Sequence, residues 1–215
     1  MSALDVALIV LAKEPCAGKV KTRLCPPCDP HQAAALAEAS LIDTLTAAAA
    51  TPAARHVLAL DGKPGTWVPA GFSVIAQGTG TLAQRLASAF AAVGAPSLLI
   101  GMDTPQVTPG LLGSALLELS QPGNDAVLGL ADDGGYWAIG FDAPAVGVFD
   151  GVPMSRADTG RLQLERLAQH GLRVVLLPPL RDVDHYEDAA AVALRAPETR
   201  FAAAFMALDR ELAPA

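Results

Sequence analysis

The sequence predicts an α/β fold, a three-layer sandwich in which a mostly parallel sheet carries helices on both faces. Three observations predict it. Continuous apolar runs such as "DVALIVLA" and "SLLIGMD" read as strands buried on both sides. Longer alanine- and leucine-rich segments begin at capping residues and read as helices. The two kinds alternate along most of the 215 residues, the pattern of a parallel sheet covered by helices.

Each element has its own signal. Residues 5–12 form the first strand. Asp29 and Pro30 are an N-cap and first helical position, and the helix they open fades before Pro52. "RHVLALD" (55–61) and "FSVIAQG" (72–78) are strands, and "TLAQRLASAFAAVG" (81–94) is a helix stopped at Gly94. "SLLIGMD" (97–103) is a strand ending in aspartate, and Thr108 and Pro109 cap the next helix. "DAVLGLA" (125–131) and "YWAIGF" (136–141) are strands around "DDGG", where an antiparallel element is expected to break the alternation. Residues 158–170 read as a helix, 172–178 as the last strand, and two alanine-rich helices split near Pro197 close the chain. No repeat or linker appears, so the reading is a single domain over 1–215.

Composition narrows the function. Hydrophobic residues make up 52% and charged residues 17%, enough for a large core and too apolar for disorder. The net charge of -7 excludes a general nucleic-acid binder, which needs a basic face. No apolar run approaches the roughly 20 residues of a membrane span. The N-terminus has no basic region before its apolar run, so a signal peptide is not expected and the chain reads as cytoplasmic. Cys16, Cys25, Cys28 and His31 can be drawn as a zinc site. Without a second C-x-x-C the set lacks the usual spacing of structural zinc, and no zinc is expected.

Against the acidic total, "LAKEPCAGKVKTRL" gathers Lys13, Lys19, Lys21 and Arg23 on one loop after the first strand. Gly18 permits a turn or close backbone approach. The spacing is neither a P-loop nor G-x-G-x-x-G. Lysine and arginine supply the charge and N–H donors that a diphosphate takes. Ligands of open parallel sheets bind beyond the carboxyl ends of the strands. That rule brings the cationic loop, Asp103, "DDGG" and "RDVD" to one rim. Asp103 offers a hard oxygen ligand for Mg²⁺ or Mn²⁺, or caps the turn before Pro105. Asp132 or Asp133 can serve as ligand or base, and Tyr136 or Trp137 can stack on an acceptor. Asp182 and Asp184 can complete a metal site, and Asp184 can equally cap the helix that begins near Tyr186.

"AKEPCAGKVKTRL", "QGTGTLAQRL", "GMDTPQVT", "ADDGGYWAIG" and "RDVDHYEDA" stand in the order seen in a bacterial family of glycosyltransferase-like proteins. The chain resembles that family over residues 5 to about 192. The family is similar to the nucleotide-diphospho-sugar transferases, of the glycosyltransferase-A, Rossmann-like fold. The resemblance implies that Lys13, Gly18, Lys19, Lys21 and Arg23 hold the phosphates. It implies that Gln77, Gly78 and Arg85 form the base and ribose wall, and that Asp103 binds metal. At Asp103 "MDT" carries one carboxylate where the fold's D-x-D carries two, a reduction more usual among nucleotidyltransferases. Asp182 or Asp184 resembles the late aspartate that joins the metal there. Asp132 and Asp133 stand as candidate bases, and Gly134, Gly135, Tyr136 and Trp137 look like the acceptor side.

The expected activity is metal-dependent transfer of a sugar from a nucleotide sugar to a small acceptor. The alternatives are nucleotidyl transfer from an NTP to a phosphorylated small molecule, and nucleotide binding without catalysis.

Overall fold

The computed structural model describes residues 5–213; the first residues of the expected leaderless terminus and of the 1–215 domain reading lie outside that range. Seven strands form one sheet: β1 (Ala7–Lys13), β2 (His56–Asp61), β3 (Phe72–Ala76), β4 (Ser97–Gly101), β5 (Ala126–Ala131), β6 (Tyr136–Phe141) and β7 (Val174–Leu180). Their order is β3-β2-β1-β4-β6-β5-β7. β6 runs antiparallel to both β4 and β5, and the remaining pairs are parallel. The expected late break in alternation is therefore present and lies inside the sheet.

Four α-helices flank the sheet, α1 (Pro30–Ala49), α2 (Leu82–Val93), α3 (Pro109–Ser120) and α4 (Thr159–Gln169), while α5 (Tyr186–Arg195) and α6 (Arg200–Leu212) pack together on the outer side of α1. The strand period of two divides the core into layers. On β1, Leu8, Val10 and Ala12 face α1 and α3, while Ala7 and Ile9 face α2 and α4. A third cluster joins Leu24, Cys28 and Leu36 to Val183, Val192, Phe201 and Phe205 of the C-terminal region.

Local chemistry sets the boundaries. Asp29 accepts from the backbone N–H groups of His31 and Gln32 at the start of α1, and Gln32 reaches back to Asp29 N. Thr108 caps α3 in the same sense, and Gly94 ends α2 at φ 62°. β4 stops at Gly101, so Asp103 stands two residues beyond the strand, not at its last position. Asp184 does not cap α5. Asp188 accepts from His185 N at 2.8 Å and from Asp184 N at 3.3 Å, which leaves the Asp184 carboxylate free for other partners.

Candidate functional site

A cleft of about 760 Å³ opens at the carboxyl ends of the parallel strands. Lys13, Lys19, Lys21, Arg23, Gln77, Arg85, Asp103, Asp132, Asp133, Gly135, Tyr136, Trp137, Asp182 and Asp184 all contribute to its wall. Gly18, Gly78 and Gly134 do not. Gly18 adopts φ 75° with open space where a Cβ would stand, so within the chain its left-handed turn is what calls for glycine. Gly134, at φ 87°, supports the wall from behind: a Cβ there would lie 1.9 Å from the Ala157 carbonyl oxygen.

The loop cations are not equivalent. Lys13, Lys19 and Arg23 are exposed. The Lys21 side chain is only 7% exposed, on a residue in the left-handed region at φ 49°. Its ammonium donates to Asp103 Oδ1 at 2.5 Å and to the Val183 carbonyl, and lies 3.9 Å from Asp184 Oδ1. Arg23 donates to Asp184 Oδ2 at 2.7 Å. Lys21, which the resemblance assigned to phosphate along with the other loop cations, lines the cleft but is drawn inward by a long-range ion pair that no local sequence pattern reveals.

Backbone bonds hold the aspartates in place. Val183 N donates to the Asp103 carbonyl at 3.0 Å, tying the β7–α5 connection to the turn after β4. Ser40 Oγ on α1 donates to the Met102 carbonyl at 2.7 Å from below. Asp182 is the unusual member. Its Oδ1 is sealed from solvent without a hydrogen-bond partner. Burial first, then the charges of Asp103 and Asp133, push its carboxyl up to about 7 against the opposing pull of Lys21. A buried carboxylate oxygen without a partner is costly unless a cation meets it.

On the opposite wall, Gln77 Nε2 donates to the carbonyls of Ala12 (2.7 Å) and Ala59 (3.1 Å). Its Oε1 accepts from Arg85 at 3.2 Å, and Arg85 lies 3.7 Å from Asp61. Gln77 is thus a bracket across β1 and β2 that aims Arg85, whose Nε is buried and unpartnered.

The two aromatics of "DDGGYW" separate. Tyr136 packs with the α2–α4 layer, its hydroxyl donating to Met154 Sδ at 3.7 Å, and burial raises its pKa. Trp137 points the other way and is 2% exposed; its Nε1 donates to the Pro178 carbonyl at 3.1 Å. Its indole fills the space beside Gly129, where a Cβ would meet Nε1 at 2.4 Å. Stacking of Trp137 on an acceptor is therefore corrected to a core role. Trp137→Phe should lower stability by about 1 kcal/mol through the lost hydrogen bond and leave nucleotide affinity unchanged, as read by urea unfolding and a binding titration.

Asp132 is 3.2 Å from Arg181. Asp133 Oδ1 accepts from Gly135 N at 2.8 Å in a tight turn. Sequence reasoning missed Arg181 and the segment carrying Ser155 and Arg156, which also line the cleft. Arg181 stood inside "RDVD", directly before a candidate ligand, and was the available signal. Ser155, at φ 59°, had none.

Among the described residues, no three His, Cys, Asp or Glu side chains form a ready-made metal cage, and no helix is long and apolar enough to cross a membrane.

The chain is similar to three solved structures in particular. One is a candidate nucleotide-diphospho-sugar transferase from Desulfovibrio desulfuricans G20, 26% identical with a TM-score of 0.86, over 99% of this chain and 97% of that one. The manganese complex of Rv0371c from Mycobacterium tuberculosis H37Rv matches at 23% identity and TM-score 0.51, over 89% of this chain and 98% of that one. The 2-C-methyl-D-erythritol 4-phosphate cytidylyltransferase from Thermus thermophilus matches at 18% identity and TM-score 0.58, over 90% of this chain and 99% of that one. The fold is therefore that of nucleotide-diphospho-sugar transferases and nucleotidyltransferases, as the sequence resemblance implied. No curated protein matches the sequence. Residues 33–156 match the family described as "Uncharacterized protein conserved in bacteria (DUF2064)", and the chain belongs to that family.

Proposed function

We propose that this protein is a single-domain, divalent-metal-dependent transferase that takes its group from a nucleotide donor. In the preferred version it moves a sugar from a nucleotide sugar to a small acceptor. The observation that carries the reading is the meeting of exposed loop cations with Asp103 and the partnerless Asp182 oxygen in one cleft.

Asp103 and Asp182 are the residues that would hold Mg²⁺ or Mn²⁺. Two carboxylates, with waters and donor phosphate oxygens completing the shell, are a usual set for Mg²⁺, so the lack of a protein cage fits. A cation bound there supplies neutralisation of charge on the leaving diphosphate. The manganese in the Rv0371c complex makes Mn²⁺ a natural first probe.

The chain's own residues do the rest. Lys13, Lys19 and Arg23 bind phosphate oxygens where negative charge grows in the transition state. Gln77 and Arg85 position base and ribose. Asp133, exposed and near Asp182, takes the proton from the acceptor hydroxyl as its oxygen bonds to the sugar carbon and the diphosphate leaves. Asp132, held by Arg181, orients that side of the cleft.

A second reading has its own support. Asp103 and Asp182 come from two strand ends, the carboxylate pair that nucleotidyl transfer uses, and one similar structure is a cytidylyltransferase. The released product separates the readings. Nucleotide sugars with Mn²⁺ should yield nucleoside diphosphate, whereas NTPs with a phosphorylated acceptor would yield pyrophosphate in the second case. A donor at about 100 times its dissociation constant should add roughly 2.7 kcal/mol of stability. Binding with neither product would leave a nucleotide-binding protein without catalysis, and absence of both binding and product would end the proposal.

A further inference from the structure

Lys21 carries an observation that the proposed function does not use. Its ammonium sits among the aspartates assigned to the metal, and its backbone adopts a left-handed conformation, uncommon for a residue with a side chain. It reaches Asp103, the Val183 carbonyl and Asp184 together, with 7% of the side chain exposed. A lysine gives up rotamer freedom and hydration to be held in this way. The return is charge. Asp103 contacts this ammonium, Asp184 lies 3.9 Å from it and Asp182 feels its charge, while Arg23 compensates only Asp184.

We propose that Lys21 is a resident cation that occupies the metal side of the cleft before the donor arrives, and that a divalent ion displaces it from Asp103 toward the donor's phosphates. The inference rests on Asp103 being a metal ligand. Both cations compete for the Asp103 carboxylate, because a divalent ion beside it repels the ammonium at short range. The freed lysine then stands on the loop that carries Lys19 and Arg23, where the diphosphate adds a partner that Asp103 had been supplying. Metal and nucleotide thus bind in a linked order. Metal alone must displace Lys21, whereas metal with diphosphate gives Lys21 a new site, and linkage makes the effect reciprocal.

The test uses Mn²⁺ alone, followed by the paramagnetic signal of the free ion, on wild type, Lys21→Met and Lys21→Gln. The glutamine variant keeps a donor for the Val183 carbonyl in case the methionine variant folds poorly. Both should bind Mn²⁺ about tenfold more tightly than wild type in the absence of nucleotide. In parallel, acetylation of Lys21 in wild type, read by peptide mass spectrometry, should rise when Mn²⁺ is added. Unchanged Mn²⁺ affinity in the variants overturns the proposal. So does tighter binding without a rise in Lys21 labelling, since that would mean repulsion without displacement. If neither wild type nor variants bind Mn²⁺, even with a nucleoside diphosphate present, the metal reading itself fails and the inference falls with it.

Discussion

Asp103→Asn should abolish the metal-dependent tightening of nucleotide binding and cut turnover at least about a hundredfold, the scale of several kcal/mol of lost charge stabilisation. The amide keeps the size of the side chain and still accepts a hydrogen bond. It loses the charge that a hard divalent cation requires. The fold should survive: the Asp103 carbonyl accepts from Val183 N, its neighbour Met102 is anchored by Ser40, and Lys21, which loses its nearest counter-charge, keeps the Val183 carbonyl and an amide oxygen to donate to. The competing view makes Asp103 a turn residue whose replacement costs at most about 1 kcal/mol and leaves metal dependence intact. Nucleotide affinity of wild type and variant, each measured in Mn²⁺ and in EDTA, separates the two. Equal enhancement in both proteins would remove the centre of the proposed mechanism.

Asp182→Asn is expected to act in opposite directions on stability and on metal. Burial, reinforced by Asp103 and Asp133, raises the Asp182 carboxyl from an ordinary 3.8 to about 7. The folded protein therefore holds a proton that the unfolded chain has released. Its contribution is fully present below about pH 4 and is lost as pH rises toward 7. Between pH 5.5 and 8, wild type in EDTA should lose about 2 kcal/mol that the asparagine variant keeps, since asparagine has no proton to lose. Adding Mn²⁺ should reverse the ranking by stabilising wild type and leaving the variant unmoved. Urea unfolding at the two pH values, with and without Mn²⁺, reads all of this. A stability difference that does not change with pH would show that the folded Asp182 carboxyl titrates like an exposed one.

These expectations depend on features that the sequence displayed unevenly. The strands were legible because β1, β2 and β4 are buried on both faces and read as unbroken apolar runs. Helix starts were legible where the cap is local, as at Asp29 and Thr108. The rim followed from topology, because carboxyl ends of parallel strands share an edge. What stayed hidden was pairing across long separations. Lys21 meets Val183 across 162 residues, and no local pattern distinguishes it from Lys19. Helix α5 offered three acidic residues near its start, and Asp188 rather than Asp184 took the backbone amides. The Tyr136 and Trp137 assignment was different in kind. Adjacent strand residues face opposite ways, so strand geometry already implied that the pair cannot share a face.

The third apolar cluster gives the charges of the site a mechanical relation. Leu24 follows Arg23 directly, and Val183 stands between Asp182 and Asp184; both side chains are fully buried in that cluster with Phe201 and Phe205 of α6. The cationic loop and the late aspartates are thus two jaws bolted to one block of hydrocarbon. The Lys21 ammonium on the Val183 carbonyl ties the same two segments a second time, at the polar edge of that block. Helix α6 lines no part of the cleft, yet its Phe201 and Phe205 back the supports of both the cationic loop and the late aspartates.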